Sequence, residues 1–129
     1  KFRRPVGLVA FSYAALHFAT WIVLDMGFLW SQIVADIVKR PYLILGMIAV
    51  TILTVMAVTS GNRVLRKLGP VRWRRIHRMI YAAAPIAVLH WLISHKIWPV
   101  WGITMGTAVL LLLALRVPVI QTNLRKLVS

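Results

Sequence analysis

Apolar residues gather into four long blocks, separated by shorter connectors that carry most of the charge. The blocks run over about residues 5–24, 41–60, 76–95 and 98–117, and each can cross roughly 30 Å of hydrocarbon as a helix rising 1.5 Å per residue. In lipid every backbone N–H and C=O must be satisfied within its own element or by a closed barrel. Nothing in the chain shows the alternating pattern of barrel strands, so the blocks predict an all-α membrane protein. The expected fold is a bundle of four transmembrane helices, part of a longer helical bundle, with residues 1–129 as one membrane domain.

The ends of the blocks carry matching signals. Pro5 and Pro41 fit the first turns of the first and second helices, where a missing N–H costs nothing, and Pro99 begins the last. The connector "DMGFLWSQIVADIVKR" is too polar to span, yet Phe28, Leu29, Ile33, Val34, Ile37 and Val38 recur near helical spacing. It predicts a short amphipathic helix lying along the interface. The connector "TSGNRVLRKLGPVRWRR" reads as a basic loop, with turn formers in Ser60, Gly61, Asn62, Gly69 and Pro70.

Charge then orients the bundle. Sixteen Lys and Arg oppose two acidic residues, for a net charge of +14. Nucleic-acid binding would place such cations on a polar surface; here they sit between apolar blocks, which argues against a nucleic-acid partner and for membrane lipid. In the four-helix topology thirteen cations (Lys1, Arg3, Arg4, Arg63, Arg66, Lys67, Arg72, Arg74, Arg75, Arg78, Arg116, Arg125, Lys126) share one side, and Lys39, Arg40 and Lys96 share the other. The positive-inside rule makes the richer side cytoplasmic, including both ends of the chain, and the first and third helices run parallel. The first apolar run lacks the small-residue cleavage pattern of a signal peptide and is read as structure.

The absence of cysteine excludes disulfides, thiolate-bound zinc, cysteine-ligated iron–sulfur clusters and haem attached through CxxCH. No Walker loop, Rossmann fingerprint or HExxH is present, and neither Asp25 nor Asp36 is paired at the centre of a span.

The histidines carry the remaining chemistry. His17 and His90 lie well inside two parallel helices at comparable depth, as bis-histidine ligation of a b-type haem requires. The plainer alternative is a hydrogen bond across the bundle. His77 precedes His90 by about 20 Å of straight helix, a spacing suited to a second haem, although an ideal helix leaves the two about 140° apart. A kink at Pro85 would correct part of that angle. The partner depth for His77 falls on Arg3, beside Arg4, so an inner haem would lack a second imidazole. Arg3, Arg4 and Arg78 could pair with propionates, or with a quinone or flavin phosphate, or serve only as positive-inside cations. His95 reads as interfacial, the tryptophans Trp21, Trp30, Trp91, Trp98 and Trp101 as an aromatic belt, and Gly46 with Ala82, Ala83, Ala84 and Ala87 as close-packing positions.

Four stretches, "RRPVGLVAFSYAALHFATW", "KRPYLILG", "AVTSGNRVLRKLGPVRWRRIHRMIY" and "VLHWLISHK", occur in an order that resembles the ferric-reductase-like transmembrane superfamily. Within it, the chain is similar to the haem-binding membrane subunits of periplasmic methionine sulfoxide reductase systems, the MsrQ or YedZ family. The resemblance implies a non-catalytic electron-transfer subunit of the bacterial inner membrane. Its cofactors would be one or two haem b, with FMN or quinone as further candidates. Electrons would pass from quinol or a cytoplasmic flavin reductase to a periplasmic molybdopterin-containing reductase. The family's haem-associated, metal-ligating histidines map to His17, His77 and His90, and its basic pair maps to Arg3 and Arg4. Two departures stand out: family members carry further helices before the equivalent of Lys1, and the larger oxidases of the superfamily carry an FAD/NADPH domain for which this chain has no sequence. The competing reading is a structural or accessory membrane subunit without a working redox relay; a small transporter lacks the interrupted or paired ionisable site it would need.

Overall fold

A computed structural model describes residues 3–95 and 99–116, Arg3 by its backbone alone. Lys1, Lys96, Trp98, Arg125 and Lys126, and the limits of the fourth block at 98 and 117, lie outside the described residues. Helix α1 spans Arg3–Thr20 and continues into a π-helical turn, Trp21–Asp25. Then follow α2 (Trp30–Lys39), α3 (Pro41–Val58), α4 (Asn62–His77), α5 (Ile80–Ser94) and α6 (Val100–Arg116).

Three stretches are long and apolar enough to cross a membrane: Arg4–Asp25, Pro41–Val58 and Asn62–Ser94. Helix α6 is apolar but shorter, and its 17 residues reach about 25 Å at 1.5 Å per residue. The described chain is therefore an all-α, largely helical membrane protein with three long spans and one shorter apolar helix. Hydroxyls within the apolar helices find partners in their own backbone: those of Ser12, Thr51, Thr54 and Thr107 each donate to the carbonyl four residues earlier. Such back-bonding removes the cost of an unpaired hydroxyl in hydrocarbon.

The direction of each helix follows from contacts at its two ends. At one end the Arg4 guanidinium donates to Asn62 Oδ1 at 2.7 Å, the Trp73 indole N–H donates to the Thr59 carbonyl at 3.1 Å, and Ser60 meets His77. At the other, His17 faces His90, and His90 bonds the Tyr42 carbonyl. Hence α1 and α5 run in the same sense with α3 antiparallel between them. Helix α6 returns against α5, placing Trp101 by Trp91 and the Tyr81 hydroxyl on the Arg116 carbonyl at 3.4 Å.

Close packing uses small residues, as it does where lipid removes the hydrophobic drive between helices. Ala49, Ala83 and Ile33 are the buried apolar side chains among the described residues, while Leu111, Leu112, Val6 and Val9 are exposed on the outside of the bundle. Gly102 lies directly under the Trp91 ring, and a Cβ at Gly106 would stand 3.4 Å from Val88.

Two expectations about the connectors resolve differently. The amphipathic helix forms as α2, with Ile33 turned inward and Val34 and Val38 exposed. The basic connector, expected as a loop, is helical over Asn62–His77 and broken once, at Gly69 (φ 75°, ψ 160°) before Pro70. The turn formers act locally there, and the Arg- and Lys-rich residues on either side retain good helix propensity. Pro85 sits within α5 without ending it. The interruption between His77 and His90 falls instead at Arg78–Met79, which belong to neither α4 nor α5.

Candidate cofactor site

A cavity of about 780 Å³ opens at the His17–His90 end of the bundle. From α1 and the π-helical turn, Ala14, His17, Phe18, Trp21 and Asp25 face it, spaced as one helical stripe. Helix α3 contributes Tyr42, Leu43, Gly46, Met47, Val50 and Leu53, and α5 contributes Ala87, His90 and Ser94. Its volume lies within the range of ordinary ligand sites, whose walls are mainly apolar with a few converging polar groups.

The His17 and His90 rings lie 6.4 Å apart between centroids, with planes inclined at 66°. A metal bound by one nitrogen of each ring would separate the centroids by about 6 Å, from two bonds of about 2 Å and two ring offsets of about 1 Å. The centroid separation of the pair matches that distance, so the spacing fits one iron shared between the two rings. Among the described residues no three His, Cys, Asp or Glu side chains gather into a metal site supplied by protein alone.

His90 is held in a single tautomer. Its Nδ1 lies 2.7 Å from the Tyr42 carbonyl oxygen, which only accepts, so the ring proton sits on Nδ1 and Nε2 presents its lone pair. Such an outer partner is the usual device for orienting a ligating imidazole. Gly46 makes room for the ring: a Cβ there would stand 2.8 Å from Cε1, 3.0 Å from Nδ1 and 3.3 Å from Nε2 of His90. His17 is exposed toward the cavity, and no side-chain hydrogen bond engages its ring among the described residues.

Along one side of the cavity, α2 and the start of α3 bring Asp36, Arg40 and Tyr42 together. Arg40 Nε pairs with Asp36 Oδ1 at 3.0 Å, and its Nη1 donates to the Tyr42 hydroxyl at 3.3 Å. The Tyr42 hydrogen bond, followed by the Asp36 carboxylate, raises the Arg40 pKa further above its ordinary value. Asp36 Oδ2 is buried without a hydrogen-bond partner. Both acidic residues of the chain, Asp25 and Asp36, border this cavity. The amino-acid pattern pointed to cations at the opposite end and did not single out Arg40; the one available signal was its place in "KRPYLILG" beside a predicted helix start.

The other expected site residues lie elsewhere. His77 is stacked on Trp73 at 3.9 Å, with Nδ1 3.1 Å from the Trp73 carbonyl oxygen and Nε2 3.3 Å from Ser60 Oγ. No second imidazole faces it among the described residues. Arg4 is engaged with Asn62, Arg78 is exposed, and the Arg3 side chain lies outside the described residues. His95 is exposed, tilted against Trp91 at 4.8 Å, in keeping with an interfacial place.

Comparison with known proteins finds relatives along most of the chain. The chain is 46% identical over 99 residues to the protein-methionine-sulfoxide reductase heme-binding subunit MsrQ of Brucella anthropi, covering 77% of this chain and 44% of that protein. It is 42% identical over 125 residues to proteins of the same name from Brucella ovis and Brucella canis, covering 95% of this chain and 56% of each of those. The chain thus spans about half the length of the curated relatives it matches. No solved structure matches it. Residues 1–88 match the family described as the ferric reductase like transmembrane component, which takes in α1, α3 and the segment reaching into α5. The chain belongs to the ferric-reductase-like transmembrane family.

Proposed function

We propose that the protein is a b-type haem electron-transfer subunit of the bacterial inner membrane. In this reading it relays electrons from quinol or a flavin reductase to a periplasmic molybdopterin-containing methionine sulfoxide reductase. The observation that carries the reading is the His17–His90 pair, 6.4 Å between ring centroids, with His90 Nδ1 committed to the Tyr42 carbonyl. The names of the relatives support the physiological context.

Haem b, when bound, supplies a one-electron carrier; the chain supplies its ligands and its surroundings. His17 and His90 would hold the iron, Tyr42 and Gly46 orient His90, and Leu43, Met47, Val50 and Leu53 line an apolar wall that would limit water. The chain itself carries no catalytic residue in this reading, and sulfoxide reduction belongs to the partner.

Four membrane crossings with the basic end in the cytoplasm fit the thirteen-to-three division of cations. Arg3, Arg4, Arg78 and His77 then mark the end approached by the donor, where FMN or quinone would dock. A second haem at His77 would require its Nε2 to leave Ser60 and would find one imidazole.

The test is vectorial electron transfer in proteoliposomes holding the full-length protein. Quinol or reduced flavin on the basic side is expected to reduce the haem, and oxidised periplasmic reductase on the other side to reoxidise it. His17→Ala and His90→Ala are each expected to block both steps. Transfer at the wild-type rate in both variants would overturn the proposal.

A further inference from the structure

The polar residues of the cavity are unevenly placed. Its part along α3, over Met47, Val50 and Leu53, is apolar, whereas Asp25, Asp36, Arg40 and Tyr42 lie at the end beside the α2–α3 junction. Arg40 is the one Lys or Arg among the described lining residues. Its Nε is taken by Asp36 and its Nη1 by a long bond to Tyr42, while no partner occupies Nη2 among the described residues. The guanidinium is tethered from two sides and still offers N–H donors.

We propose that Arg40, steadied by Asp36 and Tyr42, is the anchoring residue for the carboxylates of the cofactor, so that haem enters with its propionates toward the α2–α3 junction and its apolar edge toward Leu53. The inference rests on the haem reading above. Physical chemistry decides the direction. Propionates pointed at the α3 wall would be unpaired carboxylates in an apolar setting, which costs far more than a partly exposed ion pair returns. At the α2–α3 junction they meet a planar, permanently charged guanidinium that suits carboxylate geometry. The arginines singled out in the sequence as propionate partners, Arg3, Arg4 and Arg78, are at the other end of the helices from His17 and His90. Tyr42 links the two functions of the site: its carbonyl sets the His90 tautomer and its hydroxyl accepts from Arg40.

The test compares haem with haem dimethyl ester, whose propionates carry no charge, in the full-length protein reconstituted in detergent. The readout is the rate of loss to an apomyoglobin scavenger. Wild type is expected to lose the ester roughly tenfold faster than haem, the ratio for one charge-assisted hydrogen bond. Arg40→Gln is expected to lose both at one common, faster rate, and Arg40→Lys to restore part of the discrimination. Arg66→Gln, an exposed arginine of α4 at the far end, is expected to discriminate as wild type does. Equal rates in wild type, or undiminished discrimination in Arg40→Gln, would overturn the assignment of Arg40 while leaving the histidine ligands standing. If the wild-type protein takes up no low-spin haem at all, the parent reading falls and this inference with it.

Discussion

The Tyr42 carbonyl oxygen and His90 Nδ1 are 2.7 Å apart, so the first turn of α3 fixes the proton of a ring carried near the end of α5. A backbone carbonyl cannot be removed by substituting its side chain, which makes this hold on His90 robust to most changes at position 42. The vulnerable point lies one turn further along α3, where Gly46 leaves room for the same ring.

Gly46→Ala puts a Cβ within 2.8 Å of His90 Cε1 and forces the ring off the Tyr42 carbonyl. Haem affinity is expected to fall roughly 10- to 100-fold, the range for loss of a ligand-orienting partner. Titration of the apoprotein with haem, followed by the Soret band, measures it.

His77→Ala is expected to leave the low-spin spectrum and the haem-to-protein ratio unchanged while lowering stability. Its ring stacks on Trp73 and meets Ser60 and the Trp73 carbonyl. Losing the stack and the hydrogen bonds costs about 1–3 kcal/mol. Thermal unfolding in detergent, beside pyridine-haemochrome quantitation, separates the two effects; a halved haem content would instead mark His77 as a second-haem ligand.

Gly69→Ala tests the break in α4. With φ 75° and ψ 160°, Gly69 occupies backbone space nearly restricted to glycine, and a side chain there costs of order 1–3 kcal/mol. The expected result is a lower melting temperature with an unaltered haem spectrum.

Gly102→Val drives a side chain into Trp91, whose ring lies over Gly102. Separation of α5 from α6 is expected to destabilise the protein by about 1–3 kcal/mol, as overpacking does. Trp fluorescence shifted toward the solvent-exposed range during thermal unfolding would report it at a lower temperature than in wild type.

What the amino-acid pattern made legible was whatever depends on distance along a single helix. His17 and His90 could be matched in depth by counting from the basic ends of their spans, and the structure brings their rings together. The role of Gly46 as a ring cradle, and of the Tyr42 carbonyl as its proton anchor, depends on how α3 packs against α5, which no spacing within one helix reveals. Gly46 was visible only as a close-packing residue. Arg40 was hidden for a related reason: the charge asymmetry is dominated by the dense cations of the opposite end, while the α2–α3 junction that places Arg40 against the cavity is a tertiary feature. The π-helical turn at Trp21–Asp25 left no mark in the pattern because Trp21, Ile22, Val23 and Leu24 are apolar at either register. The helix over Asn62–His77 was missed because Gly61, Gly69 and Pro70 resemble a loop, although one residue takes up the whole distortion.

The central claim, that His17 and His90 together ligate one haem, is tested most directly by the electron paramagnetic resonance spectrum of the oxidised full-length protein and its single histidine variants. A low-spin bis-imidazole ferric signal is expected in wild type and in His77→Ala, and its loss is expected in both His17→Ala and His90→Ala. Persistence of that signal at wild-type intensity in either His17→Ala or His90→Ala would contradict the account.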